Sequence, residues 1–235
     1  AHNVATTDLF THLESANLTG IEKIAIVCYS GQTAQWATTL LRLQGYSNVY
    51  SLKFGMCSWN ADFATAWNNG IGNSGAATFN TTANAKNAEG DLPELNTGKE
   101  DPQDILDARI AAVLAEGFNE AKITNTTVLA NPGDYYIVNY WPQNHYDIGH
   151  IPGAVQYTPK ETINLAADLK TLPTDKTIVV YCYTGQTSAA LTSYLRVLGY
   201  DAKSLLYGTN GMIYDIMVAN TLSVWVDPEA DYPIE

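Results

Sequence analysis

Part of this chain occurs twice. Lys23-Ile-Ala-Ile-Val-Cys28-Tyr-Ser-Gly31-Gln32-Thr33 and Thr177-Ile-Val-Val-Tyr-Cys182-Tyr-Thr-Gly185-Gln186-Thr187 each lead a short apolar run into Cys-Tyr-(Ser or Thr)-Gly-Gln-Thr. The match continues through Leu41-Arg42 and Gly45-Tyr46 against Leu195-Arg196 and Gly199-Tyr200. Similarity this extended marks a duplication, so whatever one copy folds into, the other must also accommodate. In each copy the apolar, β-branched run reads as a buried parallel strand. Apolar positions at helical spacing over residues 33–44 and 187–198 predict a helix, which Gly45 or Gly199 ends. A second strand is predicted over residues 49–54 and 202–207, closing at Gly55 or Gly208. The unit is strand, loop, helix, strand, with the cysteine at the carboxyl end of a strand, the edge where open α/β sheets bind ligands.

More of a domain lies ahead of the second copy. Residues 104–117 form a helix candidate and residues 134–140 a buried strand. Gly149-His150-Ile151-Pro152-Gly153-Ala154 is a turn into a short strand at 155–157, and a helix is expected around 161–170. Gly, Asn, Thr and Ala dominate residues 68–100 without periodicity, which predicts a linker or long surface insertion. The division that follows is 1–67, the C-terminal half of a first domain; 68–100, the insertion; 101–226, a complete second domain; and 227–235, a tail.

The 235 residues are 46% hydrophobic and 11% aromatic, enough for real cores. A formal net charge of −12 argues against nucleic acid or an anionic membrane surface as partner, since both need clustered Lys and Arg. Arg42, Arg109 and Arg196 are the only arginines, a handicap for any phosphate-gripping site. No apolar run approaches the ~18–20 residues of a membrane-spanning helix. Cys28, Cys57 and Cys182 are too few and too scattered for a disulfide scaffold or a zinc site, and their odd number leaves at least one free thiol. No tight carboxylate–His spacing suggests a metal, and no cofactor is expected. The low charged fraction, with many Asn, Thr and Tyr, suggests an exported, periplasmic or extracellular protein.

Gly-His-Ile-Pro-Gly-Ala, followed about thirty residues later by a strand ending in Cys-x-x-Gly-x-Thr, resembles the rhodanese (sulfurtransferase) family. The loop Cys-Tyr-Thr-Gly-Gln-Thr is most similar to those of tandem thiosulfate and mercaptopyruvate sulfurtransferases. The resemblance implies a five-stranded parallel sheet between helices, in tandem, with the cysteine loop as active site. It makes Cys182 and Cys28 persulfide-forming nucleophiles. Tyr183, Thr184, Gly185, Gln186, Thr187 and Ser188 would cradle the substrate in one copy, and Tyr29, Ser30, Gly31, Gln32 and Thr33 in the other. Asn139 and Trp141 stand where the family often carries Asp and Arg.

The first copy is expected to be incomplete. Ala1-His2-Asn3-Val4 aligns with Ala154-Val155-Gln156-Tyr157, so nothing in the chain corresponds to the 135–140 strand, which is internal in the family's sheet. Its absence would leave buried backbone groups unpaired at about 1–3 kcal/mol each. The expected partner is therefore the missing half, bound as a separate peptide or supplied by another chain, alongside small sulfur compounds as substrates.

A sulfurtransferase cysteine must act as a thiolate and hold an outer sulfur until a nucleophile removes it. Backbone N–H groups of the loop and the following helix N-terminus are expected to converge on the sulfur and stabilise its anion. Hydroxyls of Thr184, Thr187, Ser188, Ser30 and Thr33 are expected to add donors. Neither loop contains Arg or Lys, which predicts weak activity with dianionic thiosulfate and a preference for persulfide or polysulfide. Cys57 reads as a small packed residue, with a resolving disulfide to Cys28 as the alternative. His150 reads as a structural turn residue and His145 as an ordinary surface residue; His2 and His12 carry no motif. Trp36, Trp59, Tyr140, Trp141 and Tyr194 read as core or pocket wall, and Tyr29 and Tyr183 as flanking the pocket mouth.

Two other functions share the fold. A phosphatase or arsenate reductase wants a loop one residue longer, closed by an Arg that grips the oxyanion; the sixth residue after each cysteine is Ala34 or Ser188. A binding or extracellular assembly module with little turnover fits the neutral loops and the half-domain, whereas cysteines in both copies argue for chemistry.

Overall fold

The computed structural model describes residues 1–228 and 231–234. The chain opens with α1 (Leu9–Ser15), β1 (Ile24–Ile26), α2 (Gln32–Leu43), β2 (Val49–Ser51) and α3 (Thr65–Gly70). The complete unit follows with α4 (Pro102–Glu120), β3 (Lys122–Ile123), α5 (Asn125–Ala130), β4 (Tyr136–Asn139), α6 (Gln143–Tyr146) and β5 (Val155–Gln156). It closes with β6 (Ile178–Tyr181), α7 (Gln186–Val197), β7 (Ala202–Leu205) and α8 (Tyr214–Ala219).

Five strands form a parallel sheet in the order β3-β7-β6-β4-β5, flanked by helices, as the resemblance implies. Strand alternation divides its side chains between two cores. Ile137, Val179, Tyr181 and Leu205 pack with Val128, Met212, Ile213 and Met217 on one face. Val138, Ile178, Val180 and Ala202 pack with Tyr157, Leu191 and Leu195 on the other. Every residue of β6 is buried, which is why its sequence is apolar throughout rather than alternating.

The first copy forms a two-stranded parallel sheet, β1 with β2, in which Ile24 pairs with Val49 and Ile26 with Ser51. Its helix α2 packs on α7 of the second copy. Trp36, Ala37 and Leu40 share a core with Ala189, Val197 and the α4 residues Ile110 and Val113, and Ser193 Oγ donates to Trp36 O at 3.1 Å.

Several expectations need correction. The helix expected at 161–170 reduces to a single 3-10 turn at Leu169–Thr171. Asn164 explains this: its Oδ1 accepts from Ala166 N at 2.9 Å and its Nδ2 donates to Glu161 O at 2.6 Å, so its side chain competes for the backbone groups that a helix would use. The strands expected over 49–54 and 202–207 end at Ser51 and Leu205, because Phe54 and Tyr207 turn to φ 62° and 59°. Beyond the end of α3 at Gly70, the insertion carries no regular element other than the isolated pairing of Asn80 with His150, yet it is strapped to the complete unit. Gly72 N donates to Asn210 O at 2.9 Å, Gly90 N to Lys170 O at 2.8 Å, and Lys86 meets Asp168 at 2.6 Å.

Candidate functional site

Cys182 follows the last residue of β6, and Gly185, at φ 76°, turns the chain into α7. The residue is 2% exposed. Ser188 N donates to its Sγ at 3.3 Å, and the thiol reaches Ser188 Oγ at 3.6 Å. Ser188 Oγ lies 2.8 Å from Ser204 Oγ, whose hydroxyl donates to Gly185 O at 3.3 Å. Cys28 is more open, and its Sγ accepts from Gly31 N at 3.1 Å and Ala34 N at 3.3 Å. Two backbone donors converge on Cys28 Sγ, whereas a single one reaches Cys182 Sγ; donors at a helix N-terminus stabilise an anion there. The expected hydroxyls do so only at Ser188: among the described residues, those of Thr184, Thr187, Ser30 and Thr33 make no bond to sulfur.

A turn backs each loop. Thr209 N donates to Cys182 O at 3.0 Å and Asn210 N to Tyr183 O at 3.1 Å; Met56 N and Cys57 N repeat this on Cys28 O and Tyr29 O at 3.0 and 3.1 Å. The approach requires glycine at one position of each turn. A Cβ on Gly208 would lie 2.3 Å from Cys182 O, and one on Gly55 2.2 Å from Cys28 O.

The walls differ between copies. Tyr183 is half-buried, stacks on Trp141 with centroids 4.8 Å apart, and shares a hydrogen bond between its hydroxyl and His145 Nδ1. Burial, and then the nearby Cys182, push its phenol up to about 12, so it stays neutral. His145 is thus a wall residue rather than an ordinary surface one, a correction that no local sequence signal could have supplied. Tyr29 is 47% exposed and meets the edge of Phe63. Trp141 and Asn139 are fully buried, and Asn139 Nδ2 donates to Tyr181 OH at 2.7 Å rather than to either sulfur. Trp36 and Tyr140 are core, whereas Trp59 is a surface residue whose ring lies tilted against Tyr232 at 4.8 Å. Gln32 and Gln186 send their Oε1 atoms to the other copy, while Gln32 Nε2 donates to Ser30 Oγ in its own loop at 3.3 Å.

Cys57 is fully buried with Ala64, Trp67 and Trp225, and burial pushes its thiol up, in keeping with a packed residue. His150 is buried, stacked on Tyr146 at 3.9 Å, with Nδ1 at 3.1 Å from Ile151 O, which suits a turn-stabilising part. Ser204 escaped the sequence reading, although the signal was present: the strand registers place Ser51 and Ser204 at the same point of the two copies. In the first copy the hydroxyl turns to Gln35 Oε1 at 2.5 Å, because Ala34 replaces the Ser188 that would receive it.

An open groove of about 500 Å³ runs beside Cys28. Residues 1–4 form one bank and residues 23–28 the other, with Leu9, Leu13, Ala34 and Ala37 among its lining. In the complete copy β4 occupies this place, between β6 and β5. There Tyr136 N donates to Thr177 O and Tyr140 N to Tyr181 O, both at 3.0 Å. The equivalent carbonyls, Lys23 O and Val27 O, accept no hydrogen bond among the described residues. Val27 is 43% exposed, where Tyr181 is fully buried.

Among the described residues, no group of three or more His, Cys, Asp or Glu is placed to hold a metal ion, and no helix is long and apolar enough to cross a membrane.

The family model described as a rhodanese-like domain matches residues 1–62 and 91–212. No curated protein matches the chain significantly. Among solved structures, a rhodanese-related protein from Thermoplasma volcanium is 21% identical, with 40% of this chain and 91% of that one covered and a TM-score of 0.36. A rhodanese-like domain protein from Staphylococcus aureus is 25% identical over 38% of this chain and 88% of its own, with a TM-score of 0.34. A protein from Lactobacillus plantarum is 26% identical over 47% and 92%, also with a TM-score of 0.34.

Proposed function

Because the chain belongs to the rhodanese-like domain family, we propose that it is a sulfurtransferase carrying sulfane sulfur as a persulfide on Cys182 and Cys28. The observation that carries this reading is that backbone N–H groups at the start of the following helix donate to both sulfurs, Ser188 N alone at Cys182, and Gly31 N with Ala34 N at Cys28. In the proposed reaction a cysteine thiolate attacks the sulfane sulfur of a donor. The donor's S–S bond breaks, its electron pair leaves with sulfite or a thiolate, and a cysteine persulfide forms. An acceptor thiolate or cyanide then takes the outer sulfur and returns the cysteine thiolate. At Cys182 the Ser188 hydroxyl accepts from the thiol and turns to donate to the anion, while Ser204 remains anchored on Gly185 O. Cys28 lacks this hydroxyl and relies on two N–H groups, so the two sites differ in chemistry as well as exposure. With no arginine or lysine in either loop, the preferred donor is a persulfide or polysulfide rather than thiosulfate.

Intact mass measurement tests the reading after incubation with thiosulfate and, separately, polysulfide, each followed by cyanide. One sulfur atom should add per reactive cysteine, disappear with cyanide, and be absent from the Cys28→Ser/Cys182→Ser double variant. No adduct from either donor would refute it.

The groove supports a second reading, in which the first sheet is completed by an extended segment. The missing half of the first domain, or a strand from another chain, would lie parallel to β1 and engage Lys23 O and Val27 O, as β4 engages β6. Native mass spectrometry showing this chain folded alone, with no bound peptide or second copy, would count against it.

A further inference from the structure

The two cysteine loops exchange their supports. Gln32 and Gln186 open α2 and α7, whose packing brings their N-termini together. Both glutamines are almost fully buried, at 2% and 7% exposure, and each side chain crosses to the other copy. Gln32 Oε1 accepts Tyr207 N–H at 2.9 Å, and Gln186 Oε1 accepts Phe54 N–H at 3.0 Å. Tyr207 and Phe54 occupy the left-handed region, at φ 59° and 62°, which side-chain-bearing residues rarely adopt. Each immediately precedes the glycine that seats its turn on the carbonyl of the cysteine, Gly208 on Cys182 and Gly55 on Cys28. A Cβ at Gly185 would lie 2.3 Å from Gln32 Oε1, and one at Gly31 2.9 Å from Gln186 Oε1, so the loops also make room for the crossing side chains.

We propose that Gln32 is a positioning residue for the Cys182 loop and Gln186 for the Cys28 loop, which couples the two reactive thiols across the duplication. The route at each site is short. Gln32 fixes Tyr207 N, and the next turn then presents Thr209 N and Asn210 N to Cys182 O and Tyr183 O. Gln186 fixes Phe54 N, and Met56 N and Cys57 N hold Cys28 O and Tyr29 O. Cys182 is 2% exposed, so its loop must shift to receive a sulfur atom or any other electrophile. Such a shift carries Gln186 with it and strains the Phe54 contact behind Cys28. The coupling rests on reading both cysteines as reactive thiols, and thiol alkylation reports on it without invoking sulfur transfer.

The test maps iodoacetamide alkylation to each cysteine by peptide mass spectrometry across a pH series, for the intact chain and four variants. Gln32→Leu removes the acceptor and should change the rate at Cys182 about three-fold or more and displace its pH profile; Gln32 Nε2 also donates to Ser30 Oγ at 3.3 Å in its own loop, so the mark of coupling is a larger change at Cys182 than at Cys28. Gln186→Leu should do the reverse. Gln32→Glu and Gln186→Glu keep an acceptor oxygen and should hold the Tyr207 and Phe54 amides as protected as in the wild type, while their added negative charge moves the thiol profiles. Amide exchange gives a second readout: Tyr207 N–H should exchange faster only in Gln32→Leu, and Phe54 N–H only in Gln186→Leu. An effect confined to the cysteine of the mutated loop, an equal effect on both, or no effect would overturn the proposal.

Discussion

His150 sits inside the Gly-His-Ile-Pro-Gly turn with no exposed surface, its ring lying against Tyr146. Burial lowers its pKa from 6.5, an effect that its bond to Ile151 O and the charge of Asp147 offset only in part. The unfolded chain therefore binds this proton more readily than the native one. The resulting stability is fully present above about pH 6.5 and is lost as pH falls towards the folded value. Melting temperature should decline as pH drops from 7 to about 5, and a His150→Gln variant should show a shallower decline; identical slopes would remove His150 from the account. Residues of this kind were legible because their motif is local. The cysteines, Gly31 and Gly185 declared themselves through the repeat. His145 and the crossing of Gln32 to Tyr207 did not, since their partners lie 38 and 175 residues away and only folding joins them.

The two cysteine-bearing strands make a controlled comparison at the scale of elements. β6 is paired on both sides and wholly buried, whereas β1 is paired only with β2 and Ala25 is exposed. The backbone amide of Ala25 has no strand beside it, so its exchange should track local opening, while that of Val179 should approach the global limit. Hydrogen exchange should separate the two by several orders of magnitude, and equal protection would mean that the groove is filled in solution. The sequence pattern revealed the runs that become β1, β2, β4, β5, β6 and β7 but missed β3 at Lys122–Ile123, and it did not reveal where strands stop. Phe54 and Tyr207 look like strand residues, yet both turn to positive φ with their amides donating to a glutamine in the other copy. The helix expected around 161–170 failed for a nearer reason, the side chain of Asn164 closing on its own neighbours.

Across the whole molecule, a net charge of −12 opposes the approach of any anionic donor. Raising ionic strength shortens the screening length from ~30 Å at 0.01 M to ~8 Å at 0.15 M and so relieves the repulsion. Thiosulfate turnover, measured as kcat/KM, should therefore rise several-fold over that range, while an uncharged organic trisulfide should show little change. A fall with salt would reveal a local basic site that outweighs the global field. The clasp bears on the molecule's history as well as its chemistry. Duplicated units commonly drift apart, and one can decay while its twin keeps the work. Here a buried glutamine of each copy holds an amide of the other's turn, and the proposed coupling would make damage to either felt in both. An engineer who exchanges one half for a homologue must then carry the matching glutamine and turn across with it.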